Sequence, residues 1–192
     1  MNTNRAISTP NRMDLSLIEE GVTLILKGLN VDMKHRNFLE TPERVARMYK
    51  ELFQHEEPNW ETFPERYCDV IVFRGHKVWG LCSHHLLPMH LSVSVAYIPS
   101  SGRVLGLSKL GRLIDYCNNR PMLQEELTSN ICERLSKVTQ ESTAVYAEGR
   151  HLCVAMRGVK SEGEFVTYAT SGKFTDSEYY RGLFFDLVRN RK

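Results

Sequence analysis

The stretch LSVSVAY, residues 91–97, sets the large apolar side chains Leu91, Val93, Val95 and Tyr97 alternately with the smaller Ser92, Ser94 and Ala96. A period of two places the first set on one face of a β-strand and the second on the other. Upstream, Val70 and Val72 alternate with Ile71 and Phe73, so the strand pattern begins at about residue 68. Downstream, Pro99-Ser100-Ser101-Gly102 reads as a turn into a short strand near Arg103–Leu105. The period then lengthens. Leu110, Leu113, Ile114 and Cys117 mark one helix, with Ser108 as its expected N-cap. Leu123, Leu127, Ile131, Leu135 and Val138 mark a second, after Pro121. Strands are expected again at 143–148, 151–157 and 164–170. A last helix opens on Thr175 and Glu178 at capping-box spacing and should bury Tyr180, Leu183, Phe184 and Leu187.

The first third is helical. Ile18, Val22, Ile25, Leu26 and Leu29 form one stripe that ends near Gly28–Asn30, and Val45, Met48, Tyr49 and Leu52 form another after the cap and first-turn proline of Thr41-Pro42. Pro58 and Pro64 break the period in a polar loop. The chain therefore divides into a tail and helical extension over 1–66 and a strand-rich domain over 67–192. The order is helices, then ββ-αα-ββ, then a helix, which is an α+β class.

Composition narrows the function. Lys plus Arg number 25 against 23 for Asp plus Glu, too balanced for a nucleic-acid binder, so any anion site must come from locally placed charge. No run approaches the roughly 18 apolar residues of a membrane span, and the opening residues lack the apolar centre of a secretion signal. A cytoplasmic protein that does not engage membranes is expected. Five cysteines are an odd number, which argues against a disulfide framework and leaves buried thiols, a reactive thiol or metal ligands.

Cys82-Ser83-His84-His85 is the densest chemical cluster. A thiolate and an imidazole three residues apart can meet on one metal ion across a tight turn, although a buried thiol beside two polar loop histidines has the same spelling. In the strand expected at 151–157, His151 and Cys153 share a face, with Ala155 and Arg157 continuing it. Cys82, His85 and Cys153 together make a three-ligand set with a fourth position open, which suits catalytic zinc. His84 and His151 then stand beside it as acid–base groups. Gly106-Leu107-Ser108-Lys109, with Arg112 a turn later, presents a helix N-terminus and two cations, suited to a phosphate or to a solvated basic face. Gln124-Glu125-Glu126 places acids in the first turn of a helix, which the helix dipole alone explains; a buried Glu there would also accept two N–H bonds from a guanine edge.

Six segments in order, TPERVARMYKELF (41–53), LCSHHLLPM (81–89), VAYIP (95–99), VLGLSKLGRL (104–113), RPMLQEELT (120–128) and HLCVAMRGV (151–159), resemble the GTP cyclohydrolase I family. The resemblance implies a tunnelling fold, in which ββαα units join into an intersubunit β-barrel, and a toroidal homo-oligomer, commonly a decamer. GTP would bind at subunit interfaces. It implies zinc on Cys82, His85 and Cys153, with His84 and His151 catalytic. Ser108, Lys109, Arg112 and Arg157 correspond to triphosphate contacts, and Gln124 and Glu125 to guanine and nearby contacts.

Three positions depart from the family pattern. Ser83 stands where a Glu is usual, Glu126 where an Arg is usual, and Tyr168 where a Ser is usual. Ser83 and Glu126 keep a competing expectation open: a structural or regulatory zinc module with weakened turnover. Other enzymes fit less well. The fold-related nitrile reductase uses a catalytic Cys without a zinc triad, and a zinc deaminase would carry P-C-x-x-C beside its histidines.

Overall fold

A computed structural model describes residues 13–64, 68–99 and 102–189. The start of the expected tail, and Ser100 and Ser101 of the expected turn, lie outside the described residues. The chain falls into two compact units, Met1–His55 and Glu56–Lys192.

In the first unit, α1 (Leu15–Gly28) packs against α2 (Thr41–Phe53). Asp14 caps α1 by accepting the Leu17 N–H at 3.0 Å. The N-cap of α2 is Glu40, one residue before the expected Thr41, whose hydroxyl donates instead to the Asn37 carbonyl; Pro42 occupies the first turn as expected. The apolar stripe of α1 forms, yet no α1 residue is buried: Ile25 is 62% exposed, and Leu29, just past the helix, 69%.

The second unit carries β1 (Thr62–Phe63), β2 (Ile71–Leu81), β3 (Pro88–Tyr97), β4 (Val104–Leu105), α3 (Leu107–Cys117), α4 (Gln124–Thr139), β5 (Thr143–His151), α5 (Leu152–Ala155), β6 (Phe165–Thr170), α6 (Lys173–Asp176) and α7 (Glu178–Arg189). Four strands form an antiparallel sheet in the order β2-β3-β5-β6, and β1 pairs with β4 apart from it. The two faces of β3 behave as the alternation requires. Leu91, Val93, Val95 and Tyr97 join Leu110, Leu113, Ile114, Leu127, Ile131 and Leu135 of α3 and α4 in one core. Ala96 faces the other way into a second core with Ala144, Tyr146, Phe174, Phe184 and Val188. Ser92 and Ser94 are buried as well, so β3 is covered on both sides.

Four further local expectations fail. The strand predicted over 151–157 stops at His151, and residues 152–155 form one helical turn. Pairing explains it: Met89 faces His151 and Phe165 faces Gly149, so the ladder has no partner beyond. The backbone there satisfies itself instead, the Met156 N–H donating to the Leu152 carbonyl at 3.0 Å. Ser108 is not the cap of α3. Gly106 holds that position, with the Lys109 N–H on its carbonyl at 2.8 Å, and Ser108 sits inside the helix. Thr175 lies within α6, its hydroxyl 3.0 Å from that of Thr170, so no capping box opens α7. That helix buries Phe184 and Val188, while Leu187 stays 39% exposed.

Glycine is required at one point near the chemistry. A Cβ at Gly149 would collide with the carbonyl oxygen of His90 on β3, so the β3–β5 approach that delivers His151 depends on it.

Candidate metal centre and catalytic cleft

The β2–β3 connection builds half of the centre. Leu81 pairs with Pro88, and the loop between them is closed by the Cys82 N–H on the Leu87 carbonyl at 3.0 Å and the Leu86 N–H on the Cys82 carbonyl at 2.9 Å. Leu86 takes a left-handed φ of 53°, strain that lets so short a loop close. The turn buries the Cys82 thiol and sets it 3.9 Å from His85 Nδ1. Cys153 arrives on α5, directly after β5. The ligand atoms of Cys82, His85 and Cys153 all lie within 4.8 Å of one another. A tetrahedral zinc edge between two thiolates is about 3.8 Å, so the set needs only a small contraction. The donor chemistry fits: two soft sulfurs and an imidazole, with His85 exposed to solvent on its outer side.

The thiols are unequal. Burial pushes Cys82 up, but the backbone N–H groups of His85, Leu87 and His84, with the Cys153 thiol, outweigh it and hold Cys82 below the ordinary range. Burial and the neighbouring Cys82 sulfur push Cys153 up. Of the two, Cys82 therefore gives up its proton more readily. Cys117 and Cys132 lie elsewhere, buried in the core between sheet and helices. Burial drives Cys117 up to about 12 and raises Cys132, which makes both poor nucleophiles.

The cluster opens into a cavity of about 330 Å³ lined by Cys82, His84, Gln124, Glu125, His151 and Cys153, with Leu123, Val154, Phe165, Val166 and Thr167 completing the wall. His151 packs edge-to-face on Phe165, with ring centroids 5.2 Å apart. Its burial lowers its pKa, a shift that Glu125 only partly offsets, so the ring is neutral near pH 7. His84 is exposed, edge-to-face with His85 at 6.3 Å. Glu125 is exposed, whereas Gln124 is buried and hydrogen-bonded to protein groups.

The basic residues are placed differently. Ser108 and Arg112 are exposed on α3, and Lys109 is nearly buried with Nζ on Asn59 Oδ1 at 3.1 Å. None of the three lines the cavity. Arg157, in the loop after α5, points its guanidinium at His85 Nε2. Of the departures, Ser83 is exposed, Glu126 pairs with Arg120, and Tyr168 packs edge-to-face on Phe185 at 5.3 Å. The sequence reading missed Phe165, Thr167 and Asn59. The period of two in β6 carries a trace of the first two, since Phe165 and Thr167 point to one face, but nothing in the sequence announces Asn59.

An antiparallel sheet covered by helices, carrying a Cys-His-Cys donor set beside a cavity with titratable side chains in its wall, defines an α+β protein with a candidate metal centre. The family model for GTP cyclohydrolase I matches residues 18–189. Curated relatives agree over nearly full length. The chain is 38% identical to GTP cyclohydrolase 1 of Desulforamulus reducens over 182 residues, 91% of this chain and 97% of that one. It is 36% identical to that of Clostridium perfringens over 92% and 98% of the two chains, and 38% identical to that of a Sulfurihydrogenibium species over 94% and 98%. The chain belongs to the GTP cyclohydrolase I family. No helix among the described residues is long and apolar enough to cross a membrane.

Proposed function

We propose that this enzyme is a zinc-dependent GTP cyclohydrolase I. It would convert GTP and water to 7,8-dihydroneopterin triphosphate and formate, opening the guanine imidazole ring at C8 before an Amadori-type rearrangement and ring closure. The observation that carries the reading is the Cys82, His85 and Cys153 cluster, two of whose members line one cavity with His151 and Glu125, in a chain of this family. Cys82, His85 and Cys153 would hold the zinc, which when bound would supply Lewis acidity and acidify water for the hydrolysis at C8.

The remaining work falls to the chain's own side chains. His151, neutral by burial, moves a proton at the purine nitrogen next to C8. His84, exposed at the cavity wall, handles protons at the ribose oxygens during rearrangement. Glu125 accepts the paired N–H groups of the guanine edge, orienting C8 toward the metal end of the cavity. Ser108, Lys109, Arg112 and Arg157 hold the triphosphate. That group is not cleaved, so its binding energy positions the base.

Ser108, Lys109 and Arg112 lie outside the cavity of their own chain, which supports a site shared between copies in a homo-oligomer, a decamer on the family pattern. The exposed apolar stripe of α1 supports association too. The ion pair of Glu126 with Arg120 neutralises the acid that replaces the usual Arg, which favours a working enzyme over a weakened homologue. Five free cysteines suit a reducing, cytoplasmic setting.

The test is direct. The zinc-loaded protein incubated with GTP should release formate and a product that oxidises to fluorescent neopterin. Absence of both, with zinc content and oligomer confirmed, overturns the reading.

A further inference from the structure

Gln124 opens α4 and is 1% exposed. Its surroundings fix which way its carboxamide faces. Nε2 lies 3.0 Å from the Ala147 carbonyl, 3.2 Å from the Phe165 carbonyl and 3.1 Å from Thr167 Oγ1. Backbone carbonyls only accept, so the NH₂ end faces the strands and the oxygen faces His151. Two threonines remove the remaining freedom. Thr128 Oγ1 donates to the Gln124 carbonyl at 2.8 Å, so in its 2.7 Å contact with Thr167 it accepts. The Thr167 hydroxyl hydrogen is thereby committed to Thr128, and its lone pairs are left for Gln124 Nε2. At the other end, Gln124 Oε1 sits 2.7 Å from His151 Nε2. An amide oxygen only accepts, so that ring nitrogen carries the hydrogen. A neutral imidazole protonated at Nε2 has a bare Nδ1.

We infer that Gln124 is a positioning residue, holding His151 as the Nε2–H tautomer so that Nδ1 is the nitrogen that exchanges a proton with the substrate. The inference rests on the cyclohydrolase reading for the identity of that substrate, and on the hydrogen-bond geometry alone for the tautomer. Phe165, edge-on to the ring at 71°, opposes rotation about the side-chain bonds. β5, whose last residue is His151, anchors the backbone beneath it. Every direction in the chain Thr128, Thr167, Gln124, His151 is set by an atom that has one role only. For Gln124 to contact guanine, as the family resemblance implies, its buried amide would have to release His151 or abandon its strand acceptors.

Imidazole NMR on the nitrogen-labelled, zinc-loaded protein, at a pH where the ring is neutral, reads the tautomer without any turnover. The expected spectrum has the His151 hydrogen on Nε2, with the signals identified by their loss in His151→Ala. A hydrogen on Nδ1 overturns the inference, whatever the activity. Gln124→Met should then give a mixture of tautomers. Its kcat for formate release should fall about 10- to 100-fold, as for loss of an orienting partner. KM for GTP should stay within about threefold of wild type. A raised KM with kcat held would mean that Gln124 binds guanine and would overturn the positioning role. If Gln124→Met does not fold, the wild-type spectrum decides alone. A wild type that shows the expected tautomer but releases no formate would fail the functional reading and leave the tautomer standing.

Discussion

The metal cluster and the basic segment of α3 were both legible as short motifs, and the structure treats them oppositely. Cys82, His85 and Cys153 are gathered within 4.8 Å inside one chain. Ser108, Lys109 and Arg112 stay outside the cavity, two exposed and one tied to Asn59. The difference fits what each is proposed to hold. A small ion tolerates errors of a few tenths of an ångström, so its donors need a strained loop and a strand end to fix them. A triphosphate is long and flexible, and cations on flexible stems can meet it wherever a neighbouring surface presents them.

Substitutions should separate the two regions. Cys153→Ala breaks the three-ligand set, so zinc content, measured by metal analysis, should collapse and formate release with it. His151→Ala should keep zinc yet lose about 10²- to 10⁴-fold in kcat, the usual range for a proton-transfer group. Equal metal loss in both variants would erase the division of roles within the cluster.

Proton release offers a third test. Cys82 is shifted down and Cys153 up, so a proton still held on the pair, on Cys153 above all, must leave when zinc binds. Zinc affinity should therefore rise with pH, by about tenfold per unit for one proton, until pH passes the raised Cys153 value. A competition titration with a chelator at several pH values reads the slope, and a flat profile would mean that the thiols are already ionised. The smallest effect is expected in the basic segment. Arg112→Ala should raise KM for GTP about tenfold, one charge-assisted contact, with kcat and zinc content held. Loss of zinc in that variant would break the contrast.

The sequence reading carried the elements well where burial enforced a period. The alternation of residues 91–97 gave β3 and both its faces, and the stripes gave α1 to α4. It failed where pairing ends. Nothing in His151-Leu152-Cys153 says that β3 and β6 offer no partner beyond His151, so a strand was expected where a turn of helix forms. Capping motifs misled for the same reason: Ser108 and Thr175 have capping chemistry, but the turns begin at Gly106 and Gly172. The three candidate ligands come together because their spacing needed only that the two segments meet. Gln124 was visible as a polar residue of the right type, but its partners Ala147, Phe165 and Thr167 come from strands that only the tertiary fold brings to it. The α1 stripe teaches the converse, since periodicity shows a face and not what covers it.

The register of Met89 against His151 has a consequence for biogenesis. Cys82 leaves the ribosome long before Cys153, with both central helices made in between, and a strand pairing of such long sequence separation forms slowly. On the proposed ligand set, a nascent chain would therefore offer metal only the Cys82–His85 pair, a weak two-donor clip. Tight capture must wait until β5 has zipped onto β3 in the correct register, because a slip of one residue would turn the end of β5 to the other face of the sheet. On the proposed ligand set, metal loading would in that sense be a proofreading step, the ion being retained only by molecules whose central sheet has been assembled correctly.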